Sequence, residues 1–174
     1  MFKKYLKTRN ALLIAIVIIA AFFRFYNITQ LPPGLYPDEA MNGNNALEAL
    51  SPAGHMKVFY PENNGREGLF INIQALSIWI FGNEPWALRV VGGLFGVLTV
   101  LGLYFAAKEL FRKGAGQKIA LLSSFFLAVS FWHINFSRIG FRAIMAPFFL
   151  TWAIYFLLKS LNSISETSDA LNIN

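Results

Sequence analysis

The residues of this chain best suited to chemistry fall into four groups. Pro37-Asp38-Glu39-Ala40 puts two adjacent carboxylates at the start of a stretch, DEAMNGNNALEAL, that reads as a helix. A carboxylate there can serve as a general base, although an Asp after a Pro-rich turn is also a preferred helix cap. Asn63-Asn64-Gly65-Arg66-Glu67-Gly68 is a turn feeding a short apolar stretch. Its Arg66 can hold an anionic group bidentately, or pair with Glu67. Arg89 stands three residues into a long apolar run, where a cation needs either a partner or a reach to the interface. The fourth group, Trp132 to Arg142, collects His133, Ser137, Arg138 and Arg142. Two arginines with a histidine and a hydroxyl favour a phosphate-bearing ligand. An aromatic belt accounts for the Trp but not for cations gathered at this connection.

The elements that must position these groups follow from composition. Of 174 residues, 56% are hydrophobic and 14% charged, with mean hydropathy +0.49 and no cysteine. Ordinary soluble domains carry roughly a quarter charged residues, so the apolar excess points to lipid and to an all-α polytopic membrane protein. The missing cysteine excludes disulfide scaffolds, thiolate catalysis and Cys-ligated metal sites. The net charge of +6 is read first as a topology device, because basic residues flank membrane spans; no nucleic-acid partner is expected.

Four spans are expected, at about 10–26, 86–107, 119–136 and 141–158. Lys3, Lys4, Lys7 and Arg9 precede the first run, which lacks a small-residue cleavage site and so reads as an uncleaved anchor. Residues 27–85 are rich in Pro, Gly, Asn and acids, a composition expected of an extracytoplasmic loop. Within that loop, Gly68 to Gly82 is apolar but only about 22 Å long as a helix, short of a ~30 Å hydrocarbon core. If it lies on the outer surface, nine Lys/Arg fall inside and six outside; if it crosses, the split is seven to eight. The positive-inside trend favours a surface helix at 68–82. The amino terminus is then cytoplasmic, and the acids and arginines of the four groups collect on the outer face. Gly92 and Gly96 form a G-x-x-x-G pair that permits close helix approach. Residues 162–174 are polar and without periodicity, and read as a flexible tail.

In this order the motifs resemble the amino-terminal part of the GT-C glycosyltransferases that use a polyprenyl-phosphate sugar, the group of protein O-mannosyltransferases, the lipid A aminoarabinose transferase and bacterial family 39 enzymes. The residues carrying the likeness are Asp38-Glu39, GREGLF, GNEPWALRVVGGLFG and SFWHINFSRIGFR, spread over Asn10 to about Leu161. The resemblance implies a lipid-linked sugar donor and an acceptor glycan, lipid or protein meeting on the outer face of the inner (plasma) membrane. Asp38 and Glu39 would be the catalytic pair, Asp38 the base. Arg66, Glu67, Arg89, His133, Arg138 and Arg142 would bind substrate. No cofactor is required, and a divalent metal is possible but not expected.

Two other functions fit such a chain. A transporter or flippase of lipid-linked sugars would place ionisable residues in mid-span, whereas none interrupts the middle of the expected spans here. A non-catalytic scaffold would use the G-x-x-x-G face. Four spans are fewer than GT-C membrane modules carry, so the expectation is the 1–161 front portion of an enzyme.

Overall fold

In the computed structural model, which describes residues 2–112 and 114–171, the apolar runs become helices and the polar loop folds over one end of them. The order is α1 (Phe2–Phe25), α2 (Pro37–Leu50), a two-residue hairpin β1 (Phe59–Tyr60) and β2 (Arg66–Glu67), then α3 (Gly68–Phe81), α4 (Pro85–Leu110), α5 (Gly116–Ala128) and α6 (Phe131–Arg138). A 3-10 turn (Arg142–Ile144) leads into α7 (Met145–Leu171). β1 and β2 are antiparallel, with Phe59 opposite Glu67 and Tyr60 opposite Arg66. This is an all-α membrane protein.

Among the described residues two helices are long and apolar enough to cross a bilayer, Pro85–Leu110 and Arg142–Ser165. The α5–α6 pair makes a third span if its 56° bend is counted within one crossing, and the apolar part of α1, Asn10–Phe25, is shorter than either long helix. The structure therefore departs from four like spans. The run expected at 119–136 is broken after Ala128, and the helix expected to end near 158 continues through most of the polar segment to Leu171. Extending an existing helix costs far less than starting one, so a polar sequence without periodicity can still be helical when it follows a long apolar turn-by-turn ladder. Lys113, one of the nine basic residues expected inside, and residues 172–174 of the expected tail lie outside the described residues.

α4 is the central helix, packed by α1, α3, α5, α6 and α7. Its glycines are used within the chain. A Cβ on Gly92 would stand 2.8 Å from the Ser137 carbonyl oxygen of α6, and one on Gly96 would stand 2.3 Å from Ser137 Oγ. Gly93 faces the Phe25 ring at the end of α1. At the other side of α4, buried Ala46, Tyr60, Ile71, Ala75, Ile78, Ala87 and Leu88 join α2, the hairpin and α3 to its first turns.

Two polar residues of α3 also reach α4. Gln74 Nε2 donates to the Leu88 carbonyl at 3.1 Å and Ser77 Oγ to the Ala87 carbonyl at 2.6 Å. Its opposite face leaves Trp79, Ile80 and Leu76 exposed. α3 matches the expected helix at 68–82 within one residue.

Because the atom facing Gly92 is backbone, it cannot rotate away. Gly92→Leu is expected to cost about 1–3 kcal/mol by overpacking, read as a lower thermal unfolding midpoint of the detergent-purified protein; an unchanged midpoint would contradict the α4–α6 contact.

Candidate active site

α2 begins with Tyr36 at the N-cap and Pro37 as its first helical residue, a position where the missing proline N–H costs nothing. Glu39 reaches back to accept from the Tyr36 N–H at 3.3 Å, the return arm of a capping box. Asp38 is therefore not the cap. Its Oδ1 instead accepts from Asn63 Nδ2 at 2.7 Å across the gap to the hairpin loop. Asn63, Asn64 and Gly65 all have positive φ, at 53°, 64° and 80°, values that Asn and Gly tolerate best. A Cβ on Gly65 would also meet the Phe59 ring at 2.5 Å. That tight turn is what aims Asn63 at Asp38.

The adjacent acid has a different environment. Glu39 Oε1 accepts from Arg89 Nε at 2.9 Å and from the Gly140 N–H at 3.0 Å, and Oε2 accepts from Arg89 Nη2 at 3.3 Å. Arg89 also donates to the carbonyls of Pro32, at 2.7 Å, and Gly34. The two side chains are 1% and 2% exposed. The partner that Arg89 needs is thus Glu39, and the pair ties α4, α2, the 32–34 turn and the segment after α6 at one point.

Arg66 is enclosed rather than presented. Its guanidinium donates to the side-chain oxygens of Asn42 and Asn45 and, through Nε, to the Glu62 carbonyl at 3.2 Å. Burial pulls this guanidinium below its ordinary pKa, and Arg142 nearby adds to that, while Glu62, Asp38 and Glu67 oppose it. Asn42 also donates to the Gly140 carbonyl at 3.0 Å. Arg142 pairs with Glu67, both partly exposed at 33% and 60%. Asp38, Asn42, Asn63, Arg66, Phe141 and Arg142 together line one depression of about 20 Å³.

The remaining sequence candidates lie elsewhere. Arg138 donates to the carbonyls of Phe23 (2.8 Å), Tyr26 (2.8 Å) and Leu31 (3.0 Å), satisfying the end of α1. His133 Nδ1 faces Arg24 Nη2 at 2.6 Å. Arginine can only donate, so this nitrogen accepts and the ring proton belongs on Nε2. Arg24, fully buried, also donates to the Ala128 and Leu127 carbonyls at the end of α5. Arg89, His133 and Arg138 thus stand outside the depression. Asn42 and Asn45 were not singled out in the sequence, and Asn63 was read only as part of a turn. The available signal was the polar spacing Glu39, Asn42, Asn45 along one helix face.

Comparison with known families adds one match. The dolichyl-phosphate-mannose-protein mannosyltransferase family matches residues 69–169. The chain belongs to this family. Membership carries glycosyl transfer from a lipid-linked sugar donor to an acceptor, in general terms. The matched interval holds Arg89, His133, Arg138 and Arg142, while Asp38, Glu39, Arg66 and Glu67 precede it. No curated protein and no solved structure matches the chain. In this mannosyltransferase-family chain no three His, Asp or Glu side chains gather as a metal-ligand group among the described residues.

The two acids should separate by stability. Glu39→Ala leaves Arg89 buried without its counter-charge and is expected to cost about 3–5 kcal/mol. Asp38→Asn, which keeps an acceptor oxygen for Asn63, should stay within ~0.5 kcal/mol of wild type. Chemical unfolding of the two purified variants checks the contrast, and equal losses would contradict it.

Proposed function

We propose that this chain supplies the acceptor-activating and phosphate-facing part of an inverting membrane glycosyltransferase, with Asp38 as general base. The observation that carries the reading is the different engagement of two neighbouring carboxylates. Glu39 is consumed by a buried ion pair, whereas Asp38 borders the depression with Arg66 and Arg142 beside it.

In the proposed step an acceptor hydroxyl lies against Asp38 and gives up its proton to the carboxylate. Its oxygen forms the bond to the anomeric carbon as the bond from that carbon to the phosphate oxygen breaks, with the electron pair leaving on the polyprenyl phosphate. Attack from the side opposite the leaving group inverts the centre. Arg142 is the cation placed to exchange its exposed carboxylate partner for the departing phosphate, because a charge-assisted, bidentate contact to phosphate suits a guanidinium. Arg66, held by two asparagines, contributes positive charge from behind without moving. Glu39 and Arg89 act as positioning residues. The step as written needs no metal, and the acceptor is a hydroxyl of a glycan, lipid or protein.

The membrane placement belongs to the same proposal. From Arg89 to Lys108, α4 rises about 28 Å at ~1.5 Å per residue, close to one hydrocarbon thickness of roughly 30 Å. The depression therefore belongs at one membrane surface and the Lys108 end at the other. Positive-inside placement puts Lys108, Arg112 and Lys118 in the cytoplasm and Asp38 on the extracytoplasmic face.

Transfer of a labelled sugar from a polyprenyl-phosphate donor, measured in membranes containing the protein, tests the base. Asp38→Asn should lower the rate about 10²–10⁴-fold with donor binding retained. Transfer at the wild-type rate would remove Asp38 from the mechanism.

A further inference from the structure

At the far end of α4 from Arg89, a cavity of about 520 Å³ opens between the last turn of α4, the turn into α5, and α7. Lys108, Arg112 and Lys159 line it, and Gly116, the first residue of α5, forms part of its wall. The partial positive charge of a helix N-terminus adds to these cations. Glu109 is the one carboxylate among the described lining residues, and it is already engaged. Asn162 Nδ2 donates to its side chain at 3.1 Å and to its backbone carbonyl at 3.2 Å, fastening α4 to α7. Lys159 lies over the Tyr155 ring at 5.6 Å, so its stem runs along an apolar helix while its charge stands at the cavity.

The surroundings set the depth. Leu110 and Phe111 beside Arg112, and Leu161 and Ile164 beyond Lys159, are 58%, 42%, 54% and 63% exposed. Cations at the end of two span-length helices, with uncovered apolar side chains on the neighbouring helix turns, match the headgroup level of a bilayer. There, anionic lipid attracts each Lys or Arg, and hydrocarbon covers the apolar shoulders. A free anion from solution would meet Lys108 and Lys159 but would leave the exposed Leu110, Phe111, Leu161 and Ile164 uncovered. The volume also lies within the range of ordinary small-ligand sites.

We propose that this cavity binds the phosphate headgroup of an anionic membrane phospholipid. It is separated from the Asp38 depression by the length of α4, and it stands or falls independently of the sugar-transfer reading.

The test places the full chain in phosphatidylcholine nanodiscs and titrates phosphatidylglycerol, with retained lipid counted by native mass spectrometry. Inorganic phosphate at matched ionic strength forms a second arm. Retention of phosphatidylglycerol over phosphatidylcholine is expected, and Lys108→Ala combined with Lys159→Ala should weaken it about thirtyfold, the loss expected for two basic residues at an anionic surface. Lys108→Arg with Lys159→Arg should retain binding, which separates lost charge from lost folding. Lys57→Ala, on the loop at the other end, should leave it unchanged. Equal retention of the two lipids, or an alanine pair that binds as wild type does, would overturn the site. Full displacement by inorganic phosphate would overturn the lipid as its ligand.

Discussion

The fold around the candidate site depends on the buried contact between Glu39 and Arg89. Three stretches distant in sequence meet there: the turn at Pro32 and Gly34 with the first turn of α2 that follows it, the second turn of α4, and the backbone at Gly140. A guanidinium in this position has no water to turn to, and a carboxylate at 1% exposure has none either. Each is tolerable only because every strong direction of the other is met, which makes the geometry close to all-or-none. With that pair in place, α2 can lie only one way over α4. Asn42 and Asn45 then face Arg66, and Asp38 faces Asn63. The chemistry assigned to Asp38 is thus a consequence of Glu39 being occupied.

Two further arginines, the buried Arg24 and the half-buried Arg138, follow a single rule. Irregular backbone at membrane depth must be satisfied by protein, and helix C-termini leave carbonyls unpaired. Arg24 on α1 serves the carbonyls at the end of α5, and Arg138 on α6 serves those at the end of α1. The exchange binds α1 to the broken α5–α6 pair, and the glycine face of α4 provides the room for both. Cations on this side of the molecule are therefore mostly structural. Arg142 is the one in the depression whose partner is an exposed acid.

Much of this was legible in the sequence where a pattern was long or chemically distinctive. The helix at DEAMNGNNALEAL, the short helix after Gly68 and the apolar core of α4 came from composition and length, and the four polar groups came from residue type. Spacing alone could not tell Asp38 from Glu39, because one position along a helix turns the side chain by about 100° and only the partner decides which is buried. The burial of Arg24 at the end of the first apolar run could not be read, since the α5 carbonyls it serves lie more than a hundred positions away. The break after Ala128 was hidden in a run, FFLAVSFW, that is apolar on both sides of it. The asparagines that hold Arg66 and Asp38 were invisible as site residues because Asn in a loop or helix start ordinarily reads as turn chemistry.

The division of labour between the two neighbouring carboxylates can be read directly by carbodiimide labelling of the native protein, followed by peptide mass spectrometry at both positions. Asp38 should be modified in the folded state and protected when donor is bound, while Glu39 should stay unmodified until the protein unfolds. Modification of Glu39 at the rate of Asp38 in the folded protein would contradict the account.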